Sequence, residues 1–476
     1  MQNLRARLAR IRRQGGETVL PDPAVLALRG SPPIGAARTE PGREGWTDAG
    51  YKTLRRTFTL PLEIPPALPA TLCYLLPDLD RYRMNTPSGE CGRTALVAAD
   101  HFLFFDLETT GLSGGAGTLA FLAAFGRFTG AETGDVYGLE ITQFLLLDYP
   151  GEADFLGAVL AFIGENVPAR WKGSPGGSPL LTTYNGKAFD SQILKTRCLM
   201  NGFQAPALFQ VDLLHPSRRL WKRILPNCSQ ATIETMVLGL DRTGDMPGSL
   251  APDIWFAFLR SGGEFPAPSL DEVSGPCQAL GQVCDHNVRD IAGLAELFRA
   301  FTEIASAPLE GIRGFRCDGE RLALSWRRAI LSGGVCPGLR KEAGRLFPGD
   351  EGETAEKLLE AAALDYPRSC LRLGFDCFRA GRREEGRAAL LRLAGRTGAD
   401  AGSGTIHPWK VPCAAAVRAM ALRALSIDAE RHLGRKDRAL AYIEAALTPE
   451  GNGAEGGALP PGLRRDLERR RERLSG

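Results

Sequence analysis

The chain has 476 residues, of which 44% are hydrophobic, so it exceeds one ordinary core and predicts two or three globular domains. Its formal net charge of +3 excludes a strongly basic protein, and any surface that binds nucleic acid must be a local patch. No run of about 18 apolar residues occurs, and the basic N-terminus lacks the apolar centre of a secretory signal, so we expect no association with a membrane.

Eleven cysteines are scattered along the chain, without a Cys-x-x-Cys pair or a cysteine and histidine cluster of zinc-site spacing. This pattern argues against a structural zinc ion. The odd number of cysteines and their apolar settings, as at Cys73, Cys198 and Cys284, indicate reduced core thiols. We therefore expect a cytoplasmic protein.

Residues 1–97 are basic at the start and rich in proline and glycine, with one strand-like piece at residues 53–62. Two interpretations stay open, an irregular extension packed on the next domain and a partly disordered arm. The arginine-rich residues 4–13 fit either an amphipathic helix that touches nucleic acid or a solvated chain end.

A pair of acidic residues follows the apolar residues 102–105, whose length and aromatic content predict a buried strand. Asp106 and Glu108 are two residues apart, so a strand presents both carboxylates on one face. Such a pair supplies hard oxygen ligands to one metal site, or it is a solvated strand end. The small-residue loop at residues 109–117 allows the close approach of a ligand, or is a turn into a strand at residues 118–128.

Two further segments carry charged residues. Asp190 ends the sequence Asn185-Gly-Lys187-Ala-Phe-Asp190. Residues 212–223 then place four positive charges, including Arg218 and Arg219, beside an aromatic residue, which indicates either a phosphate-contacting surface or a solvated helix face. Residues 229–240 have the apolar spacing of a packed helix.

The apolar residues between positions 283 and 298 recur with a period near 3.6, which predicts an amphipathic helix. His286 and Asp290 are four residues apart on it, so they project from one face, one turn apart. His286 is then either part of a site or a surface histidine.

These motifs together resemble those of the DEDD exonucleases, which have a ribonuclease H-like fold. The first motif is Asp106-Leu-Glu108-Thr-Thr-Gly-Leu, the second ends at Asp190, and the third is His286-x-x-x-Asp290. Several additional motifs resemble the YprB-type branch of bacterial ribonuclease H-like proteins: Leu-Ser-Gly-Gly-Ala-Gly-Thr at 112–118, Asp-Leu-Leu-His-Pro-Ser at 212–217 and Gly-Asp-Met-Pro-Gly at 244–248. The resemblance covers residues 98–303 and implies an α/β domain with a mixed sheet flanked by helices.

The resemblance implies a catalytic set of Asp106, Glu108, Asp190, His286 and Asp290. The four acids would hold two divalent cations, Mg²⁺ or Mn²⁺, about 3.5 to 4 Å apart, with Asp106 as the bridging ligand. His286 would orient or deprotonate the attacking water. The histidine-type exonucleases place their histidine five residues before the last aspartate, whereas the spacing of four belongs to the tyrosine type.

The resemblance and the local chemistry also suggest substrate contacts. The loop residues Thr109, Gly111 and Leu112 would touch the terminal nucleotide. Asn185 and Lys187 lie just before a metal ligand and are suited to donate hydrogen bonds to phosphate or base, although for Lys187 simple solvent exposure is the favoured interpretation. The basic segment would add Arg218 and Arg219, bringing the expected substrate contacts to seven.

The rest of the chain divides into a connecting segment at residues 304–350 and an all-α region at residues 351–476. Residues 369–390, and again residues 424–447, resemble a tetratricopeptide helix pair with a glycine turn. Two degenerate repeats fit either a groove that binds a protein partner or a plain helical bundle.

We therefore expect a DEDD-type 3′-5′ exonuclease that hydrolyses phosphodiester bonds of DNA or RNA from a 3′ end. A structure-specific endonuclease is the second candidate within the enzyme class. The alternative from another class is a catalytically silent adaptor, which binds nucleic acid or protein. All four acids are present, and this favours the enzyme.

Overall fold

The computed structural model describes residues 45–63, 68–79, 99–111, 117–130, 137–167, 178–206, 208–262, 265, 275–331, 351–395, 413–448 and 458–476. Contacts divide the chain into two compact units. The first comprises Met1–Ser306 with Gly314–Arg316, and the second comprises Ala307–Arg313 with Cys317–Gly476. The arginine-rich residues 4–13 and the expected substrate contact Leu112 lie outside the described residues.

The first unit is built on a seven-stranded mixed sheet in the order β1-β2-β5-β4-β3-β6-β7. Neighbouring strands are antiparallel in the part of the sheet that runs β1-β2-β5-β4-β3. The last three strands, β3, β6 and β7, are parallel to one another. The strands are β1 (Thr47–Gly50), β2 (Thr53–Pro61), β3 (Phe102–Thr109), β4 (Ala120–Gly130), β5 (Tyr137–Leu146), β6 (Leu180–Thr183) and β7 (Phe209–Asp212).

Helices flank this sheet. They are α1 (Leu72–Leu75), α2 (Glu152–Glu165), α3 (Asp190–Met200), α4 (Leu214–Trp221), α5 (Gln230–Ile233), α6 (Ala251–Ser261) and α7 (Pro276–Ser306). A π-helical turn, Glu234–Leu238, continues α5 and ends at Gly239, whose φ of 70° is left-handed. The predicted helix at residues 229–240 is therefore present, but its second half is wound more widely.

The central strand β3 carries apolar side chains on both of its faces, because other parts of the protein pack against each face. Phe102 and Phe104 point towards α7, where their rings lie 4.4 Å and 5.8 Å from the ring of Phe298. Phe105 points to the other face and stacks on Phe125 of β4, with ring centroids 5.0 Å apart. Side chains alternate along a strand, so the residues at positions 106 and 108 face α7 as well.

The second unit is helical among its described residues. Its helices are α8 (Pro308–Gly314), α9 (Gly319–Leu331), α10 (Glu351–Asp365), α11 (Pro367–Arg379), α12 (Arg383–Ala394), α13 (Ala415–Arg431), α14 (Lys436–Leu447) and α15 (Pro461–Ser475). Two glycines bring α11 and α12 close together. A Cβ on Gly374 would lie 2.5 Å from Leu390, and one on Gly386 would lie 3.0 Å from the Gly374 carbonyl oxygen.

The predicted fold class, a ribonuclease H-like mixed sheet followed by an all-α region, is confirmed. The structure adds detail at the segment boundaries. The strand-like piece of the N-terminal segment is β2, which pairs with β5 along its whole length and is part of the sheet. The connecting segment contributes α8 and α9 to the helical unit. Among the described residues, no helix combines the length and the hydropathy that crossing a membrane requires.

We predict that Gly126→Val in β4 destabilises the sheet unit by about 1 to 3 kcal/mol, because added side-chain atoms would overpack the contact with α7. A Cβ at this position would lie 2.6 Å from Cγ2 of Ile291 and 3.3 Å from Cδ1 of Leu139. Urea denaturation followed by tryptophan fluorescence measures the change.

Gly164→Ala in α2 is the matched control, since no atom lies within 4 Å of a Cβ built there. Alanine is the better helix former, so this variant should be neutral or slightly more stable than the parent protein. Equal stability of the two variants would show that α7 does not pack closely on β4.

Candidate active site

Strand β3 carries the first two acids into the interface with α7. Oδ2 of Asp106 accepts a hydrogen bond of 2.7 Å from Nδ2 of Asn287, which lies on α7. Glu108 follows on the same strand face and is buried. The strand geometry expected from the Asp-x-Glu spacing therefore brings both carboxylates to one side of the sheet.

The third acid, Asp190, is the first residue of α3 and is buried. The loop before it turns sharply at Asn185, which has a left-handed φ of 67°, and at Gly186, where a Cβ would lie 2.5 Å from Thr183. Asp212 at the end of β7 holds this loop. Its carboxylate accepts hydrogen bonds from the backbone N–H groups of Asn185 (2.9 Å) and Lys187 (3.2 Å).

Helix α7 supplies the last two predicted residues from one face. Nε2 of His286 lies 3.4 Å from Oδ2 of Asp290, one turn further along the helix. Ligand atoms of Glu108, His286 and Asp290 all lie within 4.8 Å of one another, so these three residues could hold a metal ion.

The predicted catalytic residues share one cavity of about 230 Å³. The end of β3, the loop before α3, helix α7 and the start of α6 contribute to its wall. The lining residues are Asp106, Leu107, Glu108, Thr109, Tyr184, Asn185, Phe189, Asp190, Gly248, Pro252, His286 and Asp290. Three motifs that lie far apart in the sequence thus meet at one point.

Sequence reasoning missed an arginine that contacts this set. Arg242 lies in the loop after the π-helical turn, and its guanidinium binds three carboxylates. It donates to Oε2 of Glu234 (2.6 Å), Oδ2 of Asp245 (2.7 Å) and Oδ1 of Asp290 (2.6 Å). The guanidinium therefore holds one oxygen of Asp290, while the other oxygen faces His286.

Asp245 was visible in the sequence only as part of the Gly-Asp-Met-Pro-Gly motif. Its Oδ1 lies 3.0 Å from Nδ1 of His286 and also accepts a hydrogen bond from Arg289. Gly248, in the same motif, lies against the imidazole, since a Cβ there would be 2.9 Å from Nε2. The motif thus orients His286 from two sides.

A second polar chain fixes Asn287, the residue that contacts Asp106. Nε2 of Gln143, on β5, donates to Oδ1 of Asn287 at 2.9 Å, and the Gln143 side chain accepts a hydrogen bond of 2.6 Å from Arg56 on β2. The amide of Asn287 is completely buried, so these bonds determine its orientation. The sequence gave no signal for Gln143, because its role depends on strand pairing.

Burial dominates the electrostatics of the acids. Burial and the neighbouring carboxylates raise the pKa of Asp106 well above its usual value. Burial also raises the pKa of Glu108 to about 8 and that of Asp190 to about 7. Buried carboxylates close together disfavour ionisation, so a cation that neutralises them would be strongly favoured.

For the imidazole of His286, the neighbouring charges outweigh the effect of burial on the pKa. Burial tends to lower the pKa of His286, but the hydrogen bond to Asp245 and the charge of Asp290 outweigh burial and raise it to about 9. Nδ1 faces Asp245, which leaves Nε2 on the side of the cavity.

The expected substrate contacts lie in different settings. Thr109 and Asn185 line the cavity, and the Thr109 hydroxyl donates to the carbonyl of Gly111 (3.0 Å). Lys187 forms an ion pair of 2.6 Å with Asp78. On α4, Arg218 is exposed and Arg219 is half-buried.

The donor set fits hard divalent cations. Among the residues that the structure describes, no arginine or lysine forms an ion pair with Asp106, Glu108 or Asp190. Buried carboxylate oxygens without a cationic partner match the preferences of Mg²⁺ and Mn²⁺.

The chain resembles known proteins in two comparisons. Residues 103–302 match the model of the RNase_H superfamily. Over 204 residues the chain is 35% identical to the uncharacterized protein YprB of Bacillus subtilis (strain 168). That alignment covers 42% of this chain and 41% of YprB, so the chain spans about two fifths of its relative's length. Residues 103–302 thus match the model of the ribonuclease H superfamily, and the sheet order and the shared cavity agree with that match, as the motifs predicted.

Proposed function

We propose that this protein is a metal-dependent nuclease that removes nucleotides from the 3′ end of a DNA or RNA strand. One observation carries the proposal: a single cavity contains all four predicted acids together with His286. An adaptor that only binds nucleic acid would not need four carboxylates in one buried pocket, because each of them repels phosphate.

Asp106, Glu108, Asp190 and Asp290 would hold two divalent cations. Bound there, the cations would offset the charge of the phosphate and of the leaving 3′ oxygen and would favour ionisation of the attacking water. Asp106 is central in this arrangement, since the charges of Glu108, Asp190 and Asp290 all act on it.

His286 would position the attacking water, and in its neutral form it would take up the water's proton. Bound cations would favour that neutral form, because their charge lowers the raised pKa of the imidazole. The hydrogen bond to Asp245 keeps the ring in one orientation and leaves Nε2 towards Glu108 and Asp290. A carboxylate behind an imidazole also stabilises the imidazolium that forms when the proton is taken up. The four-residue spacing between His286 and Asp290 is thus compatible with a role for His286 in binding the attacking water.

The shape of the cavity favours a strand end. Its volume is small, and the segment from Gly248 to Pro252 walls one side. Helix α6 fixes this wall, because Nε1 of Trp255 donates to the Leu146 carbonyl at 2.9 Å and its ring stacks on Phe121. A duplex that continues in both directions would need a more open surface, so an endonuclease is the second candidate.

We predict that Asp106→Asn lowers the rate of hydrolysis by more than about 100-fold, because it removes a charged ligand at the centre of the site. The fold should be kept, since an asparagine oxygen can still accept from Asn287. With Mg²⁺ or Mn²⁺, the wild type should convert a 5′-labelled single strand into a ladder that shortens one nucleotide at a time.

Asp100→Asn is the matched control, because Asp100 is exposed and lies just before β3. It should cleave like the wild type. Equal activity of Asp106→Asn and wild type would refute the site, and cleavage of a closed single-stranded circle would replace the exonuclease by the endonuclease. A chelator should stop all cleavage.

We also predict that Asp245→Asn lowers hydrolysis by about 10- to 100-fold, the range typical of residues that orient a group at a metal site. The substitution keeps the shape of the side chain but removes the charge that faces His286 and Arg242. Single-turnover rates at saturating Mn²⁺ give the measurement.

Asp241→Asn is the control in the same loop, since Asp241 is exposed and its carboxylate forms hydrogen bonds with the nearby Thr243. It should leave the rate unchanged. If both variants, or neither, lose activity, Asp245 does not act through His286.

A further inference from the structure

The helical unit contains a cavity that is larger than the one lined by the proposed catalytic residues. It has a volume of about 450 Å³ and lies between α9, α11 and the start of α13. Apolar atoms form most of its surface, with Phe375 and Met420 among the lining side chains. No residue of the proposed catalytic set belongs to this unit.

Four arginines line this groove. Arg368, Arg372 and Arg379 lie on α11 at intervals of four and seven residues, so they share one face of the helix with Phe375. Arg321 projects from α9. All four arginines are exposed. Phe375, which lies between Arg372 and Arg379 on α11, is half-buried.

Most of this positive charge is not neutralised. Arg379 pairs with Asp376, but Arg321, Arg368 and Arg372 have no hydrogen-bond or ion-pair partner for their guanidinium groups in the described part of the chain. One acid, Glu320, also lines the groove, and it is almost completely buried with Ser369 at 3.5 Å. The accessible rim is therefore cationic.

A ligand for this groove needs flat apolar surfaces and regularly spaced anions. A single strand of nucleic acid has both, since unpaired bases stack on aromatic side chains while guanidinium groups bind phosphates. Arg368 and Arg372 are one helical turn, or about 6 Å, apart along α11. A duplex hides the faces of its bases, so it could not use Phe375.

We propose that the groove lined by Arg321, Arg368, Arg372 and Phe375 binds a single strand of DNA or RNA. The choice of nucleic acid over an acidic peptide rests on the nuclease function proposed above. The groove is a second binding site for the substrate, separate from the catalytic cavity. It would hold the strand through its phosphates and stacked bases without regard to sequence.

The test measures binding of the full-length protein to a fluorescein-labelled 20-nucleotide oligo(dT) in EDTA, where metal-dependent cleavage cannot occur. The triple variant Arg321→Gln/Arg368→Gln/Arg372→Gln should weaken binding by at least about tenfold at 0.15 M salt. It should also reduce the slope of log K against log salt by about 2, since each lost phosphate contact removes about 0.7.

The matched control is Arg464→Gln/Arg465→Gln/Arg471→Gln, which removes the same charge from exposed positions on α15. It should change affinity by less than about threefold. Phe375→Leu keeps an apolar side chain but loses the aromatic ring, and should weaken binding by roughly tenfold without a change in the salt slope. Circular dichroism of each variant confirms that the helices are intact.

Equal losses in the two triple variants would overturn the proposal, because they would reflect general charge. So would a poly-glutamate peptide that binds through the same arginines while oligo(dT) does not bind. Hydrolysis of a dinucleotide with Mn²⁺ separates the two proposals. If the groove variants hydrolyse the dinucleotide normally and bind oligo(dT) like the wild type, the groove proposal is refuted and the nuclease proposal is unaffected. If no substrate is cleaved but the groove variants lose binding, the nuclease proposal fails and the groove stands.

Discussion

The burial of several carboxylates at the end of one strand is the constraint around which the sheet unit is organised. Asp106 and Glu108 share a face of β3 with Phe102 and Phe104, because side chains alternate along a strand. The phenylalanines bring α7 onto that face by packing on Phe298, and α7 carries the fourth acid with it. Hydrophobic packing thus forces like charges together, at a cost that polar contacts must offset.

The protein offsets this repulsion unevenly. Asp290 shares the charge of Arg242 with Glu234 and Asp245, whereas Asp106 receives only a neutral hydrogen bond from Asn287. Among the described residues, no arginine or lysine forms an ion pair with Glu108 or Asp190, although the charge of His286 acts on Glu108. The site is therefore incompletely neutralised on the side that faces the cavity, and this is the property that a divalent cation requires. Arg242 fixes Asp290 and forms no ion pair with Asp106, Glu108 or Asp190 among the described residues.

Local patterns in the sequence were sufficient to predict two of the elements that carry the acids, but not the helix that begins at Asp190. The apolar run before Asp106 predicted β3, and the 3.6-residue period predicted α7 with His286 and Asp290 on one face. The residues that orient them were not predictable in this way. Arg242 and Asp245 lie in an irregular loop, and Gln143 reaches Asn287 only because β5 takes its place in the sheet. Their roles arise from tertiary contacts, which periodicity does not describe.

The residues expected to contact substrate show the same limit of local sequence patterns. Lys187 follows Asn185 in a loop whose shape is set by Asp212, and its ammonium group meets Asp78 from a distant segment. A motif gives the position of such a lysine in the chain but not its partner. The arginines of α11 were not singled out either, although their spacing is regular, because a charge run on a helix is usually a solvated face.

One glycine explains why the loop with Arg242 has the path it takes. Gly293 lies on α7, three residues after Asp290, and a Cβ there would be 1.8 Å from Oε1 of Glu234. Glu234 is completely buried and pairs with Arg242, so its carboxylate must pass over α7 at this point. The absence of a side chain at Gly293 makes room for Glu234, Glu234 anchors Arg242, and Arg242 orients Asp290. Gly293 has no side chain that could bind a ligand, yet the geometry of the site depends on it.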